Sequence, residues 1–140
     1  MERFKFLPLL GRILIGAPFV MSGLGKLAAY GATVGYIAAM GLPFPPLAFV
    51  VSVLVELGGG LLLLSGYRAR TVSLAMALFC VVTALVFHHN FADQNQMIHF
   101  LKNVMMAGGL LQITWFGAGA FSLDARSGRT ALRVSPLTAS

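Results

Sequence analysis

Acidic residues are nearly absent from this 140-residue chain, which has four Asp and Glu side chains against ten Lys and Arg. Charged residues make up only 10% of the sequence, hydrophobic residues make up 58%, and the mean hydropathy is +0.86. Soluble domains usually carry about 25% charged residues. The composition therefore excludes an ordinary soluble globule and predicts an all-α membrane protein with one domain.

Cysteine and cofactor motifs are equally scarce. Cys80 is the single cysteine, and this excludes an intrachain disulfide relay. The Gly58 to Gly60 run lacks the strand and the Gly-Lys-Ser/Thr motif of a phosphate loop, so it predicts a close contact between helices instead. The chain carries no haem, flavin or metal motif, and no metal site is predicted.

Four apolar windows are long enough to cross the roughly 30 Å of bilayer hydrocarbon. They run over Leu7 to Gly25, Leu47 to Gly66, Thr71 to Phe87 and Met97 to Gly117. The predicted fold is a four-transmembrane-helix bundle with short loops and an interfacial segment, helical around Val34 to Met40, between the first two spans. Residues 1–126 form the predicted domain and residues 127–140 a basic, flexible cytoplasmic tail.

The basic residues outside the spans are distributed asymmetrically. Most precede the first span, lie in the turn after the second, or follow the fourth, and these segments share one side of a four-span protein. The positive-inside rule then places both termini in the cytoplasm of a bacterial inner membrane. Arg12 is expected to snorkel to the same headgroups. A cleaved signal peptide ending near Ala29 to Ala32 is disfavoured, because its loss would leave three spans and remove the asymmetry.

Glu56 is the only charged residue in its span, and an ionised side chain in hydrocarbon needs a partner. Glu56 should lie about 13 to 14 Å deep and Lys102 about 7 to 8 Å, a difference that a lysine side chain can bridge. We therefore expect an ion pair between Glu56 and Lys102 as the candidate catalytic centre. Candidate ligand-binding residues around it are Ser22, Lys26, His88, His99 and Asn103.

Each of these features also has a purely structural interpretation. The pair could serve only to fix helix register, and the histidines could be interfacial side chains rather than haem or metal ligands. Met97, Met105 and Met106 are more typical of core packing than of a Cu(I) site. In the third span, Ser73, Ala77, Cys80 and Ala84 form a stripe of small residues that predicts a tight helix interface.

Four motifs in order, SGLGKL (22–27), GLPFPP (41–46), ELGGGLLLLSGYRAR (56–70) and HFLKN (99–103), resemble the DoxX family of small bacterial membrane proteins. The resemblance implies a four-helix bundle in the cytoplasmic membrane. The family takes its name from a subunit of a thiosulfate:quinone oxidoreductase, and a mycobacterial relative is associated with a redox-stress complex.

Three functions are compatible with this sequence. The first is a membrane subunit or anchor of a quinone-linked redox system, in which an outer polar pocket receives a quinone headgroup or the redox centre of a partner protein. The second is a small proton-coupled transporter built on Glu56, although a facing lysine would neutralise that carboxylate. The third is a non-enzymatic assembly protein. The expected partners are bilayer lipid, a redox protein and further copies of the chain, and nucleic acid is not expected.

Overall fold

The computed structural model describes residues 2–128, and every regular element in this range is a helix. After a short 3-10 turn at Glu2–Phe4, the helices are α1 (Leu7–Ala28), α2 (Tyr30–Ala39), α3 (Pro45–Ser65), α4 (Ala69–Phe87), α5 (Gln94–Phe116) and α6 (Leu123–Arg126). The predicted all-α fold is confirmed. Most of the predicted tail, residues 129–140, lies outside the described residues.

Within residues 2–128, three stretches are long and apolar enough to cross a membrane: Glu2–Ala28, Pro45–Ser65 and Ala69–Phe87. Helix α5 has a sufficient length of 23 residues but begins with the polar segment Gln94 to Gln96. Four long helices therefore make up the bundle, in agreement with the predicted number. The short helices α2 and α6 lie at opposite ends of it, which we call the α2 end and the α6 end.

The bundle is built from two equally extensive helix pairs, α1 with α3 and α4 with α5. The core of the bundle contains Phe19, Leu63, Met76, Ala77, Cys80, Ala107 and Leu110. The predicted small-residue stripe of α4 is buried, from Ser73 at 0% exposed to Ala84 at 1%, whereas Leu78 and Leu85 face outward. The stripe is the interface that its spacing predicts, because small side chains let helix backbones approach closely.

Glycine allows α1 and α3 to approach closely. A Cβ atom at Gly23 would lie 2.8 Å from Leu57 Cβ, and one at Gly60 would lie 3.0 Å from the carbonyl oxygen of Gly16. The predicted close contact of the Gly58 to Gly60 run is therefore found at Gly59 and Gly60. A Cβ atom at Gly58 would have no neighbour within 4 Å. This approach sets the distance between α1 at the α2 end and Glu56 in α3.

Arg12 does not snorkel to the membrane surface as expected from the sequence. It is 1% exposed, and its guanidinium donates to the carbonyl oxygens of Leu63 (3.0 Å), Leu64 (2.9 Å), Ala118 (2.9 Å) and Phe121. Leu63 and Leu64 belong to the last turn of α3, where a helix leaves carbonyl oxygens short of intrahelical partners; the Leu63 oxygen also accepts the N–H of Gly66 at 3.1 Å. A guanidinium with five fixed donors can satisfy all of these acceptors at once.

The segment after α5, up to α6, packs against the α6 end. Ala118 and Asp124 are buried, and the Asp124 carboxylate accepts the backbone N–H groups of Arg68 (2.7 Å) and Ala69 (2.8 Å) at the start of α4. Gly66 is required here, because it has φ +72° and a Cβ atom would lie 2.7 Å from Arg12 Nη1. This end of the bundle is thus closed by Arg12 and Asp124.

Candidate functional site

Glu56 lies in the middle of α3, in a stretch of π-helix from Leu54 to Gly59. Such a stretch adds a residue to the helical turn and often occurs at functional positions. Helix α3 is regular on both sides, over Pro45–Val53 and Gly60–Ser65. The Glu56 side chain meets α1 near the α2 end, where Glu56 is only 7% exposed.

The carboxylate of Glu56 is paired with Lys26 and not with Lys102. Lys26 Nζ lies 2.7 Å from Oε2 of Glu56. The hydroxyl of Ser22 donates to Oε1 at 3.2 Å and accepts from Lys26 Nζ at 3.1 Å. Apart from the contact with Lys26, Oε2 accepts no hydrogen bond from any described residue. Ser22, Lys26 and Glu56 therefore form a closed polar triad.

The expected Glu56–Lys102 pair is wrong because α5 packs along α4 and makes little contact with α3. Depth and reach match, but the two helices are not neighbours. The Lys102 side chain is exposed. Asn103 donates to the carbonyl oxygen of His99 on its own helix, at 3.0 Å.

A cavity of about 450 Å³ lies beside the triad, between α2, α3 and α4 at the α2 end. Its volume falls in the usual range of small-molecule sites, roughly 300 to 1,000 Å³. Lys26 and Glu56 lie in its wall, and His88 lines it at the end of α4. Most of the remaining lining is apolar, with hydroxyl groups from Ser52, Thr33, Thr83 and Tyr36.

Helix α2 covers this cavity as a short lid. Ile37, its only buried residue, and Tyr36 line the cavity. Tyr36 stacks on Phe87 of α4 with the ring centroids 5.7 Å apart, and Tyr30 meets Phe49 of α3 edge-on at 4.8 Å. The predicted interfacial helix therefore exists, but it starts earlier than Val34 and closes one wall of the site.

His88 and His99 form a separate group at the rim of the cavity, at the α2 end. The rings of His88 and His99 stack with centroids 5.1 Å apart, and His88 Nδ1 lies 3.2 Å from Gln96 Oε1. Burial lowers the pKa of His88, and the neighbouring His99 lowers it further, against an opposing contribution from the Gln96 hydrogen bond. His88 is therefore neutral at pH 7. Of the predicted site residues, the structure brings Ser22, Lys26, Glu56 and His88 to the triad and cavity, with His99 beside His88.

The comparison with known families agrees with this architecture. The DoxX family model matches residues 7–89, more than half of the chain and including the whole triad. The chain belongs to the DoxX family. The resemblance carried by the four sequence motifs is thereby confirmed.

Two Escherichia coli (strain K12) proteins illustrate the relationship. The DoxX-family chain is 41% identical to inner membrane protein YqjF over 116 residues, covering 83% of this chain and 88% of YqjF. It is 34% identical to inner membrane protein YphA over 123 residues, covering 84% of this chain and 88% of YphA. No solved structure gives a significant match. The protein is accordingly a DoxX-family integral inner membrane protein.

Proposed function

We propose that this DoxX-family protein is the membrane subunit or anchor of a quinone-linked redox system, and that the cavity beside the triad receives the quinone headgroup. The observation that carries the proposal is an ion pair in the wall of a mostly apolar cavity within the membrane part of the bundle. A quinone headgroup is flat and apolar apart from its carbonyl oxygens, so it needs such a mixture of surfaces.

Lys26 provides the donor that a quinone carbonyl would need. An ammonium group has three N–H donors. Among the described residues, Lys26 Nζ contacts the Ser22 hydroxyl and the Glu56 carboxylate. One N–H is thus available toward the cavity. Glu56 lies beside it and could hold or pass on a proton, while the redox centre of a partner protein would exchange the electrons.

The transporter alternative is less well supported. A proton-coupled exporter built on one glutamate needs that carboxylate to be free for its substrate, whereas Glu56 is held by Lys26 at 2.7 Å and by Ser22 at 3.2 Å. A non-enzymatic assembly role would leave the cavity without a use. The quinone proposal accounts for both the triad and the cavity.

The proposal can be tested by measuring quinone that co-purifies with the full chain in mild detergent, expressed relative to co-purified phospholipid. Ala48 lines the cavity, so Ala48→Trp should fill it and remove bound quinone. Ala75→Trp is the matched control, because Ala75 lies on the exposed face of α4 outside the cavity. A quinone-to-phospholipid ratio in the unmodified protein equal to that of the parent membrane would refute the proposal.

We also propose that both termini face the cytoplasm, which places the cavity in the periplasmic half of the membrane. In a Cys80→Ala background, Gly31→Cys and Gln94→Cys should react with an impermeant thiol reagent added to intact cells, and Gly128→Cys should not. The Gly31 substitution is suitable because a Cβ atom there has no neighbour within 4 Å. The opposite labelling pattern would invert the topology and move the cavity to the cytoplasmic half.

A further inference from the structure

A second cavity of about 460 Å³ lies between α1 and α5 toward the α6 end, away from the triad. The two helices approach each other at Gly109, where a Cβ atom would lie 3.2 Å from Ile15 Cδ1. Beyond this point the space between them is lined by Pro8 and Gly11 on one side and by Ile113 and Phe116 on the other. We call this space the α1–α5 cleft.

The α1–α5 cleft is suited to an acyl chain. Its lining is almost entirely apolar, with Gln112 as the only polar side chain. A Cβ atom at Gly11 would have no neighbour within 4 Å, so the cleft is open there. In a bilayer such a space is filled by hydrocarbon, because neither water nor a void is favourable beside apolar side chains.

A guanidinium group lies at the headgroup end of this cleft. Gly117 lines the cleft, and a Cβ atom on it would lie 3.0 Å from Arg70 Nη2 and 3.2 Å from Arg70 Nε. Nη1 of Arg70 donates to the carbonyl oxygens of Thr114 (3.4 Å) and Trp115. Within residues 2–128, Nε and Nη2 donate no hydrogen bond. Two donors of one guanidinium thus remain beside Gly117, and this arrangement suits bidentate binding of a phosphate.

The surrounding charge favours a lipid with a net negative headgroup. Like Arg70, three further arginines lie at the α6 end: Arg3, Arg68 and Arg126. The acidic side chains at this end are engaged, Glu2 with Lys5 at 2.6 Å and Asp124 with the backbone N–H groups of α4. A surplus of positive charge attracts anionic lipid over zwitterionic lipid.

We infer that the α1–α5 cleft and Arg70 form a binding site for an anionic phospholipid, with one acyl chain in the cleft and the phosphate on Nε and Nη2 of Arg70. The site lies at the α6 end and does not depend on the quinone proposal. It would hold α1 and α5 together where the protein itself leaves them apart.

The test uses the full chain, delipidated in detergent, and two added lipids with the same acyl chains, phosphatidylglycerol and phosphatidylcholine. Phosphatidylglycerol should raise the thermal unfolding midpoint at lower concentration than phosphatidylcholine, and native mass spectrometry should show one retained adduct. Arg70→Gln should weaken this response about tenfold or more, because a charge-assisted bidentate contact is lost. Lys102→Gln is the matched control, because it removes an exposed positive charge at the α2 end, and it should respond like the unmodified protein.

Gly11→Leu tests the cleft independently of the charge. The new side chain has room at Gly11 and should occupy the space of the acyl chain, whereas Gly108→Leu on the outer face of α5 should have no effect. If Arg70→Gln fails to fold because Thr114 and Trp115 lose their donor, Gly11→Leu decides the question. Equal responses to the two lipids, or an unchanged response of Gly11→Leu, would overturn the inference. So would a stable dimer that Gly11→Leu dissociates regardless of lipid.

Discussion

Removal of Lys26 should be among the most destabilising single changes in this protein. Lys26→Met leaves the Glu56 carboxylate, 7% exposed, with the Ser22 hydroxyl as its only remaining partner in the triad. Breaking a buried ion pair by deleting one member typically costs about 3 to 5 kcal/mol, because the other charge stays buried without compensation. We expect a loss of that size in the free energy of unfolding.

The reverse change should cost less. Glu56→Gln leaves the Lys26 ammonium, whose side chain is 28% exposed and belongs to the last turn of α1. A lysine in this position can turn its head toward the membrane surface. The double variant removes both charges and should recover part of the Lys26→Met loss, with a coupling energy of about 2 to 3 kcal/mol.

The assay is unfolding in mixed micelles with increasing dodecyl sulfate, followed by circular dichroism, for the four proteins of this double-mutant cycle. Lys102→Met is the control, because Lys102 is exposed and should change stability by less than about 0.5 kcal/mol. Simple additivity of the Lys26 and Glu56 effects would refute the pairing. Coupling of Glu56 to Lys102 instead would show that α5 lies nearer to α3 than in this structure.

Three further results are expected. Arg12→Met should cost roughly 3 kcal/mol or more in the same unfolding assay, because it leaves several carbonyl oxygens without their donor, whereas Arg68→Met should be nearly neutral. Ala84→Leu should lower stability by about 1 to 3 kcal/mol through overpacking, and Leu85→Phe on the outer face should be milder; the opposite order of melting temperatures would contradict the interface. The pKa of His88 is lowered from 6.5 in the folded protein, so the unfolded state binds more protons at mildly acidic pH. Stability should therefore fall as the pH drops below about 6.5, and His88→Gln should flatten this dependence.

The sequence was sufficient to predict the features that depend on one helix at a time. Hydropathy located the long helices, and the three-and-four spacing identified the face of α4 that carries Ser73 and Ala84. The sequence also identified Glu56 as a charged residue that needs a partner. These inferences need only the helical repeat and the cost of burying a charge, so they do not depend on how the helices are arranged.

The partner of Glu56 depends on which helices are neighbours, and that arrangement is not encoded in depth or reach. Lys26 and Lys102 could both reach Glu56 from their own helices. The contact of α1 with α3 at Gly23 and Gly60 decides for Lys26, since it brings the last turn of α1 beside the π-helical turn. Gly60 belongs to the run for which the sequence predicts a close helix contact, but the sequence does not indicate which helix makes that contact.

Arg12 was misjudged for a related reason. A lone arginine near a helix end is usually satisfied by lipid headgroups, and nothing in the first span suggests otherwise. Its acceptors are backbone carbonyls of α3 and of the segment after α5, which carry no side-chain signal. Asp124 gives the only hint, because an acidic residue in a basic segment suggests an ordered contact. Since Arg12 joins the end of α3 to residues 118 and 121 while Asp124 caps α4, the α6 end is held by polar contacts. The cavity at the α2 end is covered by α2, which makes aromatic contacts with α3 and α4. Movement that admits a ligand should therefore occur at the α2 end.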